Sequence, residues 1–132
     1  MSKNADVVKG VYSAFAAGNV PAVLGAFDAA IQWNEAEGFL YADGNPYAGP
    51  MAVAQGVFQR VVTDVDGFAV VPEQFIDGGD AIVVEGRYKG TWKATRAKVD
   101  AQFAHVWHIR DGKIVRFQQY TDTRQWADAT RA

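Results

Sequence analysis

The 132-residue chain has no cysteine, so it can form no disulfide, thiolate nucleophile or sulfur-ligated metal site, a usage that suits a reducing interior. It has little surplus charge: 13 basic and 15 acidic side chains leave a net −2. Without a broad cationic face it has no electrostatic footprint for nucleic acid. No apolar run approaches the ~20 residues of a membrane-spanning helix. Met1 to Gly10 carries charged and polar groups in place of a secretory h-region, so the expected location is the cytoplasm. Serine is scarce, with only Ser2 and Ser13, and neither sits in a nucleophile elbow. Gly78-Gly79 opens no helix, so no phosphate loop is indicated. The only histidines, His105 and His108, are three apart on an expected strand. That spacing sends them to opposite faces, so they cannot chelate one ion and no metal is expected.

What the chain does have is apolar surface: 49% of residues are hydrophobic, with 4 Trp, 5 Tyr and 8 Phe. At this length the expectation is one domain, residues 1–132, with one core. Val8, Val11, Tyr12 and Phe15 fall at i, i+3, i+4 and i+7 and predict a first helix ended by Gly18. Asn19 can cap a second, with Pro21 in its first turn and Val23, Leu24 and Phe27 on its buried side. Ile31 and Trp33 alternate with Gln32 and Asn34, which predicts a short strand. Gly38, Gly44, Pro46 and Gly49 mark a loop, and a third helix runs from Pro50 to about Thr63 with Ala54, Val57, Phe58 and Val61 on its stripe.

The second half reads as four strands: Phe68–Asp77, Ala81–Trp92, Lys98–Arg110 and Lys113–Thr123. Asp111-Gly112 favours the positive φ angles of a two-residue hairpin. Gln125 to Arg131 reads as a terminal helical turn. Helices followed by long antiparallel strands make an α+β fold: a curved antiparallel sheet wrapped around three N-terminal helices, a cone with an internal cavity suited to small apolar molecules.

Three places carry candidate chemistry. On the strand Gln102–Ile109, the odd face is Phe103, His105, Trp107 and Ile109. An imidazole among such neighbours loses solvation and is pushed toward its neutral form; it can donate to an oxyanion, or simply be a half-buried histidine satisfied by a neighbouring strand. Arg116, Gln118, Tyr120 and Asp122 form an alternating polar series that either lines a wet site or is an ordinary outer face. Strand parity places Glu35 with Ile31 and Trp33, pointing to the core with a raised pKa, unless the strand has frayed and leaves Glu35 and Glu37 in water.

Several motifs resemble the SnoaL-like and ketosteroid-isomerase-like proteins of the nuclear transport factor two-like superfamily, whose fold is a cystatin-like cone. They are Ala16-Ala17-Gly18-Asn19, Ile31-Gln32-Trp33-Asn34-Glu35, Tyr47-Ala48-Gly49-Pro50, Phe103–Val115 and Gln119-Tyr120-Thr121-Asp122-Thr123. The resemblance implies a carboxylate base at Glu35, an oxyanion donor at His105, and an acid/base aspartate at Asp122 as in polyketide cyclases. The isomerases' phenolic donor on the first helix falls at Val11, beside Tyr12. It also implies a homodimer through the outer face of the sheet.

The expected function is acid/base catalysis on a small hydrophobic carbonyl compound, of the isomerase or polyketide-cyclase kind. Glu35 or Asp122 would move the proton, and His105, helped by Tyr120 or Gln118, would hold the enolate oxygen. Tyr12, Trp33, Phe58, Trp92, Phe103 and Trp107 would shape the pocket. No cofactor is needed, because enolate chemistry asks only for a base and an oxyanion donor. The alternative is a non-catalytic module that binds a small hydrophobic molecule or dimerises.

Overall fold

The computed structural model describes residues 2–132. Ser2 caps α1 (Lys3–Ala16), its hydroxyl accepting from the Ala5 N–H and satisfying one of the orphan donors of the first turn. Val8, Val11 and Tyr12 of the apolar stripe are buried. The chain reverses at Gly18, where φ is 72°, and Asn19 caps α2 (Val20–Gly25) by accepting from the Ala22 N–H.

β1 (Phe27–Asn34) begins earlier than the Ile31–Trp33 alternation suggests. Its register shifts between Phe27 and Gln32, and the Asp28 carboxylate accepts from the Ala30 N–H. The irregularity breaks the period of two and hides the first half of the strand. After a loop, β2 (Tyr47–Ala48) pairs antiparallel with β1.

The expected third helix is α3 (Pro50–Val53), a π-helical turn over Ala54–Phe58, and α4 (Gln59–Asp64). The stripe residues Ala54, Val57, Phe58 and Val61 are all buried; spacing alone does not distinguish a wide turn from an ordinary one. The π turn also explains a glycine. A Cβ on Gly56 would lie 2.1 Å from the Tyr47 ring, well inside contact distance. In Gly56→Ala, a helix-propensity gain of up to ~1 kcal/mol is outweighed by an overpacking cost of about 1–3 kcal/mol. The expected net loss of about 1–2 kcal/mol should appear as a lower urea midpoint at unchanged slope.

β3 (Val65–Asp77), β4 (Ala81–Trp92), β5 (Lys98–Arg110) and β6 (Lys113–Thr121) follow as read, within a few residues. Asp111 and Gly112 have φ of 52° and 75°, the two positive values that a type I′ hairpin needs. The six strands are ordered β2-β1-β6-β5-β4-β3. All pairs are antiparallel except β1 with β6; the chain's first strand returns beside its last. Register shifts in β3–β4 near Asp66 and Pro72, and in β5–β6 near His108, are the bulges that bend a sheet. The sheet curves over the N-terminal helices without closing. α5 (Thr123–Arg131), a full helix in place of the expected turn, buries Trp126 and Ala129 at the end of the core. No helix among the described residues is long and apolar enough to cross a membrane.

Candidate active site

Between the concave face and the helices lies a cavity of about 70 Å³. Its walls are almost entirely apolar. Trp33 from β1, Phe58 from the π turn, Trp107 from β5 and Trp126 from α5 contribute large rings. The polar side chains on the wall are Glu35, Gln119 and the hydroxyl-bearing Tyr12, Tyr41 and Tyr88.

Glu35 lies one residue beyond β1 and keeps the inward parity of Ile31 and Trp33. The strand does not fray there, because the Asn45 side chain acts as a substitute strand partner. Its Oδ1 accepts from the Glu35 N–H at 2.9 Å, and its Nδ2 donates to the Glu35 carbonyl at 2.8 Å. The carboxyl is 2% exposed, while Glu37 is exposed. Trp33 Nε1 donates to Glu35 Oε2 at 3.2 Å. Burial disfavours the anion and outweighs both that hydrogen bond and the charge of Arg60, pushing the carboxyl from 4.5 up to about 8.

His105 occupies the middle of β5, 4% exposed. The Phe103 ring stacks on it at 3.9 Å between centroids. Nδ1 is 2.6 Å from the Tyr12 hydroxyl and Nε2 is 2.5 Å from that of Tyr88. Trp107 Nε1 donates to Tyr12 Oη, and Gln119 Nε2 donates to Tyr88 Oη, each at 2.9 Å. Burial pushes the imidazole from 6.5 down to about 3 and both tyrosines well above their ordinary value. All three rings are therefore neutral across physiological pH. The imidazole is not on the cavity wall; the tyrosines that hold its two nitrogens are.

The remaining sequence candidates divide by parity. Trp33, Phe58 and Trp107 line the cavity, as does Tyr12. Phe103 is buried behind the cavity against His105. Trp92, at the end of β4 opposite Val65, is half-buried away from it. On β6 the inward residues are Phe117 and Gln119, so the series expected to carry chemistry points outward. Gln118 donates to the backbone of Gln119, and Tyr120 is 56% exposed. Asp122 caps α5, its carboxylate accepting from the Gln125 N–H. The structure does not bring Gln118, Tyr120 or Asp122 to the cavity. An aspartate before a helix is a sufficient capping signal in itself.

Tyr88, Gln119 and Trp126 were not singled out in the sequence. Tyr88 was findable: it shares the parity of Ile82, Val84 and Gly86 on β4. Gln119 shares that of Phe117, but the more polar alternate positions mask it. Trp126 lies in a polar stretch whose burial depends on where α5 docks. Among the described residues, no cluster of three His, Asp or Glu is placed to hold a metal.

The family model described as a SnoaL-like domain matches residues 8–117. A crystal structure of an NTF2-like protein from Burkholderia thailandensis is 32% identical, with a TM-score of 0.94 over 100% of both chains. An NTF2-like protein of unknown function from Burkholderia pseudomallei is 28% identical, with a TM-score of 0.90 and 100% of both chains covered. TerC, co-crystallised with polyporic acid, is 22% identical with a TM-score of 0.86, covering 99% of this chain and 100% of its own. No curated protein matches the chain.

Proposed function

The chain belongs to the SnoaL-like domain family, and from that membership we propose that it is an acid/base catalyst acting on a small, largely apolar carbonyl compound. The observation that carries this reading is a buried carboxyl and two buried tyrosine hydroxyl groups on the wall of one apolar cavity. Glu35, as carboxylate, takes the proton next to the carbonyl. The C–H electron pair moves into the new carbon–carbon double bond and the carbonyl pair onto oxygen, giving an enolate that a tyrosine hydroxyl holds. Return of the proton to a different carbon is an isomerisation; attack of the enolate carbon on a second carbonyl is an aldol closure. Both the base and the oxyanion donor belong to the chain. A preorganised donor in such a dry site lowers the barrier by roughly 3–4 kcal/mol.

The cavity sets the scale of the substrate. At about 70 Å³ it has roughly half the volume of the ~150 Å³ apolar cavity that takes up benzene. A fused-ring skeleton does not fit; a ketone of a few carbons does. That TerC was crystallised with a small molecule supports a small-molecule occupant for this fold. We also propose a homodimer through the outer sheet face, as the family resemblance implies, where Val71, Ile76 and Tyr120 are exposed.

The test is exchange of the α-protons of butanone into D2O buffer, followed by NMR. With a base that titrates at about 8, the catalysed rate should rise about tenfold per pH unit and level off above that value. Glu35→Gln should lower it by at least ~100-fold. Bound butanone with no exchange above buffer is the behaviour of a non-catalytic binder.

A further inference from the structure

The hydrogen-bond chain through His105 contains one proton more than it can use. Gln119 Oε1 accepts from the Ala36 N–H at 3.0 Å, which fixes the amide and leaves Nε2 as the group facing Tyr88. The Trp107 indole can only donate, so Tyr12 Oη must accept from it. Each phenol oxygen therefore already receives one hydrogen bond from outside the Tyr12–His105–Tyr88 unit. A neutral imidazole offers one N–H and one lone pair. The two bonds between it and the tyrosines consume that N–H and one phenolic O–H. The other phenolic O–H has no acceptor within the chain.

Which tyrosine keeps the unused proton depends only on the tautomer. With hydrogen on Nδ1, the imidazole donates to Tyr12, Tyr88 donates to Nε2, and the Tyr12 O–H is free. With hydrogen on Nε2, the imidazole donates to Tyr88, Tyr12 donates to Nδ1, and the Tyr88 O–H is free. A buried donor without a partner is costly, and both tyrosines border the cavity. The acceptor for the spare proton is therefore a group inside it.

We propose that His105 is a positioning residue held as the Nε2–H tautomer, which leaves the Tyr88 hydroxyl as the donor that reads an acceptor oxygen on the cavity's ligand. This rests on the reading of the cavity as a carbonyl site and names the group that selects for the oxygen. One observation favours Tyr88 over Tyr12. Gln119 ties the Tyr88 hydroxyl to the backbone N–H of Ala36, the residue after Glu35, so Tyr88 stands at the Glu35 end of the cavity wall, whereas Tyr12 Oη is tied to Trp107. Tyr88 and Glu35 are then the pair that a small substrate bridges. Phe103, stacked on the imidazole at 10° between planes, and Gly86, where a Cβ would strike the Phe103 ring at 2.6 Å, lock the ring plane in which Nδ1 meets Tyr12 and Nε2 meets Tyr88.

The experiment has two arms. In unliganded, 15N-histidine-labelled protein at pH 7, long-range 15N–1H correlations should give a protonated-type shift for Nε2 and a lone-pair-type shift for Nδ1. The reverse pattern, or an imidazolium pattern, overturns the assignment; this arm requires neither turnover nor a folded variant. In the second arm, butanone is titrated into wild type, Tyr88→Phe and Tyr12→Phe. Tyr88→Phe should weaken binding about tenfold, the loss of one hydrogen bond, and Tyr12→Phe by less. An equal or larger loss in Tyr12→Phe overturns the choice of donor. Failure of the wild type to bind butanone overturns the carbonyl reading of the cavity and the ligand role of Tyr88, while the tautomer is decided by the first arm alone.

Discussion

Stability should be greatest on a plateau between pH 4.5 and 6.5 and fall on both sides. Glu35 titrates at 4.5 when unfolded and at about 8 in the folded chain. Between those values the folded state binds more protons than the unfolded state, so stability declines as pH rises through that window and levels off above about 8. His105 behaves in the opposite sense. It titrates at 6.5 unfolded and at about 3 folded, so the unfolded state takes up the proton first and stability declines as pH falls from 6.5 toward 3. Between 4.5 and 6.5 the two slopes cancel. With the slopes cancelling over the plateau, each limb falls by roughly 2 kcal/mol at 1.36 kcal/mol per unit, a sizeable share of an ordinary domain's roughly 5–15 kcal/mol.

The alkaline limb is the cleaner one. Asp43, Asp66 and Asp100, held low by Arg60, Arg96 and Arg87, and Asp77, held low by the Gly79 N–H, add their own losses to the acid limb. Urea midpoints at a series of pH values should therefore show Glu35→Gln rising from 4.5 to 6.5, where the wild type is flat, and flat from 6.5 to 8, where the wild type declines. A parallel decline in both proteins would mean that the Glu35 carboxyl is not buried as described.

The second large effect is expected from His105→Leu. Leucine replaces the imidazole at similar volume and keeps the strand apolar, but neither tyrosine O–H then has an acceptor. One of these, the Tyr88 O–H, has no acceptor within the chain in the wild type either, so the variant newly strands one buried donor and should lose roughly 1–3 kcal/mol. The oxygens keep their bonds from Trp107 and Gln119, so the loss resides in the Tyr12 hydroxyl proton that the imidazole had accepted. Tyr88→Phe should consequently cost less in the His105→Leu background than in the wild type, a coupling within the usual range of about 0.5–3 kcal/mol for groups in one network. Additive losses would mean that His105 acts through packing alone.

Both results depend on side chains whose direction was readable at β5 and ambiguous at β1. The run Phe103, His105, Trp107, Ile109 alternates without interruption, and a strand permits only two directions, so His105 could be placed inside from its neighbours. Glu35 could not. It follows the last residue of β1, and its inward direction is imposed by Asn45, which is ten residues away and joins it only when the loop closes. On β6 the polar residues at 116, 118 and 120 drew attention because they alternate, yet alternation states only that they share a face. Which face is inside was decided by Phe117, Gln119 and the parallel pairing with β1.

Local order in the chain was sufficient for the helix stripes, the Asp111-Gly112 turn, the four long strands and hence the α+β class, because backbone periodicity and turn chemistry act over a few residues. Tertiary structure alone decided the β1–β6 pairing, the π turn that carries Phe58, the docking of Trp126, and the size of the cavity. It also decided that the histidine's partners are two tyrosines, one from a helix and one from a neighbouring strand. Those features depend on contacts between segments 17 to 93 residues apart, where no local pattern reports which side chains will meet.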